Sequence, residues 1–222
     1  MRALILDIDG VMLEDDRALP GTPELVDWLL RSAHPFLFLT NYSSQTPADL
    51  ANRMQAAGLK IPLDHFYTSA MATAEFLDHQ AGDRRRAYNF DMIQRAAQLV
   101  LQGARFVATN PDVAGPLGRP SCGAFAAPIE RITGKRPFYV GKPSAFMMRA
   151  ALRHLQAHSE EAWMVGDNME TDIIAGLQTG LVTVLVLSGV SRREDLTRYA
   201  YRPDHIVPDA FALTALLESQ GT

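Results

Sequence analysis

Seven short, mainly apolar stretches punctuate the chain, at residues 3–6, 36–39, 66–67, 105–108, 138–140, 162–165 and 182–187. Most run without polar alternation and end in a polar or glycine cluster, which is the pattern of strands covered on both faces. Helical stretches separate them. Strand then helix, repeated, predicts an α/β fold on a parallel sheet. Thr22-Pro23 and Thr46-Pro47-Ala48-Asp49 read as helix starts, with a hydroxyl cap before proline at the first helical position. Gly58 and Gly180 stand where helices should stop.

The middle of the chain reads differently. Residues 80–89 form a polar connector and residues 110–123 are rich in Pro and Gly, so both predict exposed loops. Between and after them the pattern offers a helix at about 91–102, the strand 105–108 and a helix around 126–132. We expect a core from residues 1–80 and 138–222, with 81–137 as an insert. Arg84, Arg85 and Arg86 read as a solvated connector, and Met147 and Met148 as helix packing.

Composition narrows the function classes. At 222 residues, 47% hydrophobic and 21% charged, the chain can fill one core with a smaller insert. A formal charge of -4 with one short basic run argues against sequence-independent nucleic-acid binding. Cys122 is the only cysteine, so neither an internal disulfide nor a Cys-based zinc site is expected. The six histidines show no metal-ligand spacing. No apolar run approaches a membrane span, and a soluble, cytoplasmic protein with no nucleic-acid or membrane partner is expected.

In an open α/β sheet ligands bind beyond the carboxyl ends of the strands. Four such places carry unusual residues: Asp7-Ile8-Asp9-Gly10, Thr40-Asn41, Gly141-Lys142-Pro143, and Gly166-Asp167 through Asp172. Each alone could be a turn or a helix cap; together, in this order, they describe phosphoryl chemistry. A carboxylate attacks a phosphate dianion only if cations offset their repulsion. Asp7 and Asp167, from neighbouring strand ends, form an all-oxygen site suited to Mg2+. Lys142 adds a second, mobile positive charge, and Thr40 and Asn41 offer donors to the phosphoryl oxygens. Asp9, just beyond the strand, can protonate the leaving oxygen and then take a proton from water.

At these residues the chain resembles the haloacid dehalogenase (HAD) superfamily of aspartate-nucleophile phosphatases, whose four motifs match Asp7-x-Asp9, Thr40, Lys142 and Asp167 to Asp172 in order. It is closer still to the NagD type, the bacterial ribonucleotide monophosphatases. That narrower match rests on residues 39–45, 66–74, Ala108-Thr109-Asn110-Pro111-Asp112, 138–143, 165–168 and 184–190. The resemblance implies a nucleophile at Asp7, an acid/base at Asp9, and Mg2+ on the Asp7 carboxylate, the Asp9 carbonyl and Asp167. Asp172 would orient metal waters or Lys142. It also implies a Rossmann-like core with a cap inserted between the second and third motifs, and substrates such as UMP and other small phosphomonoesters. One departure is large: where such proteins carry a further strand, helix and strand, only residues 81–87 stand here. The cap is therefore expected to be reduced, with Asn110 and Asp112 on its substrate loop and substrate selectivity broadened.

Two other function classes share parts of this pattern. A receiver-type phosphoryl-accepting module also uses Asp, Mg2+, Thr and Lys, but lacks a counterpart of Asp9 and the late Asp167 motif. A low-turnover protein that binds phosphorylated ligands would keep the site and lose the rate. The reduced insert adds a further expectation. A lone strand at 105–108 needs a partner, the nearby segments 86–88 and 117–119 are weak strand formers, and pairing across a subunit boundary would give a cap-mediated homo-oligomer.

Overall fold

The computed structural model describes residues 2–32, 34–77, 89–115 and 118–220. Six parallel strands form the main sheet, in the order β10 (His205–Val207), β9 (Val182–Val186), β8 (Ala162–Gly166), β1 (Ala3–Leu6), β4 (Phe36–Thr40), β5 (Phe66–Thr68). Pairings such as Ile5↔Leu37 and Ile5↔Met164 place β1 between β4 and β8. Alternate residues of each strand feed two separate apolar layers. Leu4, Leu6, Phe38, Trp163 and Val165 pack on one face, and Ala3, Ile5, Leu37, Leu39 and Met164 on the other. The unbroken apolar runs follow from this double coverage, because neither face of these strands meets water.

Helices α1 (Thr22–Arg31), α2 (Pro47–Ala56) and α8 (Ala210–Gln220) contribute to the first layer, and α3 (Ser69–Leu77), α6 (Ala145–His154) and α7 (Ile174–Thr179) to the second. Met147 and Met148 are fully buried in that second layer. The start of α2 is the expected one. Thr46 Oγ1 accepts from Asp49 N at 3.2 Å while the Asp49 carboxylate accepts from Thr46 N at 2.8 Å. At α1 the expected hydroxyl cap is absent: Thr22 is already helical, and its hydroxyl donates to Leu19 O at 2.7 Å. Two elements escape the sequence pattern. β10 is only three residues long, and the hairpin β2 (Leu13–Glu14) and β3 (Arg17–Ala18) turns through Asp15 and Asp16, both at positive φ.

Between the two halves of the sheet, α4 (Phe90–Leu101) packs on α5 (Cys122–Thr133) beside the strand β6 (Val107–Ala108). β6 pairs in parallel with β7 (Phe138–Tyr139), which we expected to open the second part of the core. The segments considered as partners, 86–88 and 117–119, fall largely outside the described residues. With β7 available in the same chain, the pairing argument for a cap-mediated homo-oligomer falls away. α5 also starts earlier than expected. Gly123 looked like a loop residue, yet a Cβ there would lie 2.2 Å from Pro111 O, so the glycine lets the 109–112 loop lie against a helix that has already begun. The connector 81–87, with Arg84 to Arg86, lies outside the described residues.

Candidate active site

The site is assembled at the carboxyl ends of β1, β4 and β8. Asp7 extends the sheet ladder by one residue, donating from its backbone to Val165 O at 2.9 Å, so its position is set by the parallel pairing of β1 and β8. Its Oδ1 accepts from Ile8 N at 2.8 Å and lies 2.9 Å from Lys142 Nζ. Lys142 Nζ is also 2.7 Å from Asp172 Oδ1. Side-chain exposure is 2% for Lys142 and 0% for Asp172, so the lysine is a clamped, buried cation and not the mobile charge expected from sequence.

Asp172 reaches this position through an irregularity. After β8 the chain makes a π-helical turn, Met169–Ile173, before α7 begins. Such turns re-aim side chains. Here Asp172 faces Lys142, and its Oδ2 accepts from Asn168 N at 3.2 Å. A Cβ on Gly166 would lie 2.2 Å from the Asp172 Cβ, so the strand end must be glycine for the aspartate to fit.

Asp7, Asp167 and Asp172 offer one oxygen each within 4.8 Å of one another. This is the only such group of three among the described residues, and no histidine belongs to it. Two like charges about 4 Å apart repel by about 4 kcal/mol at an effective dielectric of about 20, enough to hold a proton on a carboxylate at neutral pH. Burial, followed by the charges of Asp172 and Asp167, drives the Asp7 carboxyl well above the usual range although Lys142 opposes the shift. Burial and Asp172 push Asp167 up to about 7. Burial alone would depress Lys142, but Asp172 and Asp7 outweigh it and raise its pKa. Three clustered carboxylates against one buried ammonium leave a surplus of negative charge. An all-oxygen group of that kind fits a hard divalent cation.

Thr40 and Asn41 sit beside this cluster with different duties. Thr40 is buried at the end of β4, and its hydroxyl oxygen accepts from Tyr42 N at 3.1 Å. The Asn41 side-chain amide is committed elsewhere: Nδ2 donates to Lys142 O at 3.1 Å and to Asp112 Oδ2 at 3.3 Å. It braces the lysine and is not left to bind phosphate. Asn110 Nδ2 donates to Asn41 O at 2.7 Å. The stretch 109–112 is thus knitted to the end of β4, and burial raises the Asp112 carboxyl.

Two groups of contacts lay beyond the sequence reading. Arg53 of α2 reaches across to Asp9, with Nη2 2.7 Å from Oδ1, and its Nε also pairs with Asp16 on the β2–β3 turn. An arginine in the last turn of a helix carries no signal of such a reach. The loop after β9 is the second. Ser188 Oγ donates to Gly10 O at 2.6 Å, Val190 N to Asp167 Oδ2 at 2.6 Å, and Ser191 N to Asp167 O at 3.0 Å. Its signal was available: Ser188-Gly189 directly follows an apolar run, as the other site motifs do.

Known proteins resemble this chain in sequence and fold. A family model for haloacid dehalogenase-like hydrolases matches residues 4–101, and a second, HAD-hydrolase-like, matches 139–213. The chain is 46% identical to the ribonucleotide monophosphatase NagD of Escherichia coli (strain K12) over 240 positions, covering 94% of this chain and 96% of the relative. Those 240 positions exceed the 222 residues here, so the relative carries residues with no counterpart in this chain. The solved structure of NagD from the K-12 strain superposes with a TM-score of 0.90 at 45% identity, over 95% of this chain and 97% of that one. A dihydroxyacetone phosphatase of Corynebacterium glutamicum is 39% identical, covering 91% of this chain and 87% of the relative. No helix among the described residues is long and apolar enough to cross a membrane.

Proposed function

Because the chain belongs to the haloacid dehalogenase-like hydrolases, we propose that it hydrolyses small phosphomonoesters, nucleoside monophosphates such as UMP among them, by way of an aspartyl-phosphate on Asp7. It is a phosphatase of the NagD type. The observation that carries the mechanism is the buried Lys142, held within 3 Å of both Asp7 and Asp172 at adjoining strand ends.

Asp7 uses the carboxylate oxygen not engaged by Lys142 to attack phosphorus, and the bond from phosphorus to the ester oxygen breaks. Asp9 gives its proton to the departing oxygen, then accepts one from the water that cleaves the acyl phosphate and regenerates Asp7. Thr40 and the backbone N–H of Asn41 face the phosphoryl oxygens, and Lys142 offsets their charge. The Asp7 and Asp167 carboxylates with the Asp9 carbonyl would hold Mg2+, which supplies Lewis-acid charge neutralisation. Asp172 keeps Lys142 aimed at Asp7.

The substrate beyond the phosphate is met by the insert, for which we keep the division into a core of 1–80 and 138–222 and an insert of 81–137. Asn110 and Asp112 bring the insert to the site, and its small size favours an open mouth with broad selectivity. The dihydroxyacetone phosphatase relative points the same way, toward compact sugar or triose phosphates as a second substrate class. A cytoplasmic location suits these substrates and the single cysteine. Phosphate release from UMP, dihydroxyacetone phosphate, pyridoxal phosphate and 4-nitrophenyl phosphate, with and without Mg2+, tests the reading. Turnover of several esters in Mg2+ is expected. A stable phosphoprotein with no released phosphate would instead favour the receiver class, and binding without turnover the ligand-binding class.

A further inference from the structure

Asp167 differs from its two partners in how it is held. Lys142 grips Asp7 and Asp172 directly, whereas Asp167 makes no ion pair among the described residues and its Oδ2 accepts from the Val190 N–H at 2.6 Å. The fit around that carboxylate is close on both sides. A Cβ on Gly189 would lie 2.0 Å from Asp167 Oδ2, and a Cβ on Gly10 2.3 Å from the same atom. Gly10 has φ 79, which by itself favours glycine. Gly189 has no left-handed φ, so only the approach to Asp167 demands a missing side chain there.

The loop is pinned at both ends. Ser188 Oγ donates to Gly10 O at 2.6 Å, joining it to the turn after the nucleophile. At the other end the buried Ser191 donates from its N–H to Asp167 O at 3.0 Å and accepts at Oγ from Met169 N at 3.0 Å. We propose that Ser188, Gly189 and Val190 are positioning residues for the cation: the hydroxyl locks the loop to Gly10, and the loop fixes the Asp167 carboxylate in the acidic cluster. They touch neither cation nor substrate. The inference rests on the reading of Asp167 as a cation ligand.

Calorimetric titration of the whole protein with Mg2+ tests it, and partners one layer behind a metal ligand typically govern about 10- to 100-fold in affinity. Ser188→Ala is expected to bind Mg2+ about tenfold more weakly and Gly189→Ala about 100-fold more weakly. Ser188→Thr, which restores the hydroxyl, should bind within about threefold of wild type, while Ser188→Val, of the same shape, should match Ser188→Ala. Saturating Mg2+ should return Ser188→Ala turnover to near wild type, which a merely structural lesion would not allow. If Ser188→Ala fails to fold, the Thr and Val pair carries the same comparison. Equal Mg2+ affinity in wild type, Ser188→Val and Gly189→Ala would overturn the proposal. A wild-type protein that binds no Mg2+ would overturn the reading of the cation site, and the proposal with it.

Discussion

The main sheet and the region between α3 and α6 follow opposite building rules. In the sheet, each strand lies between two apolar layers, and Phe38 is fully buried. Around α4 and α5, a two-stranded ribbon supports helices that leave Phe90 77% exposed and Phe138 48% exposed. The ionisable machinery sits with the first region. Asp7 and Asp167 continue strands whose parallel pairing sets their positions, whereas among the described residues the α4–α5 region reaches the site through 109–112. The acidic cluster is therefore carried by the sheet and not by the α4–α5 region.

The sharpest way to break this contrast is Asp7→Asn. It should cut turnover by at least about 10³-fold with the circular dichroism spectrum unchanged. Retained turnover would remove the sheet end from the chemistry. Next in size is a paired truncation. Phe38→Ala should cost about 3–5 kcal/mol in urea unfolding, as a large side chain lost from a sealed core. Phe138→Ala, stacked on Phe76 at a ring distance of 5.3 Å but half exposed, should cost about 1 kcal/mol. Equal costs would mean that the β6–β7 ribbon is as tightly built as the main sheet.

Metal removal probes the sheet end by itself. Asp167 titrates near 7 in the metal-free fold and near 3.8 when unfolded, so the native state holds a proton that the unfolded chain has already released. Folding stability in EDTA should therefore fall as pH rises from about 4 to about 7, with Asp7 acting in the same sense. Added Mg2+ should abolish that fall. A melting temperature that climbs steadily toward neutral pH in EDTA would contradict the assigned charge surplus. The smallest effect is expected at Arg53, where Arg53→Met frees Asp9 from a partly exposed ion pair and should slow turnover by about fivefold at most, close to 1 kcal/mol. No change at all would show that Asp9 needs no holding.

Much of this was legible in the sequence because double-sided burial leaves a plain trace. Strands β1, β4, β8 and β9 read as continuous apolar runs, and the residues after the first three are the site. β10 left no such trace, since three residues beginning with His205 at a sheet edge need little apolar content. The partner of β6 was missed because two-residue strands carry almost no pattern, and β7 was already assigned elsewhere. Lys142 looked mobile because a sequence shows a lysine's length but not the carboxylates that enclose it. The reach of Arg53 to Asp9 and of Ser188 to Gly10 spans 44 and 178 positions of chain, so local spacing encodes neither contact, although Ser188-Gly189 after an apolar run marked the loop after β9.

Asn110 has a consequence for traffic through the site. Its side chain is 1% exposed and links the insert to Asn41, which in turn holds the Lys142 carbonyl. Lifting the stretch 109–112 away would exchange these hydrogen bonds for water at about 0.5–1.5 kcal/mol each, which favours a wall that stays in place. Asp9, by contrast, keeps 36% of its side-chain surface in solvent, next to the β2–β3 hairpin. Hydrogen exchange at the Asp112 amide, bonded to Asn110 Oδ1 at 3.1 Å, should remain slow even while phosphate is being released.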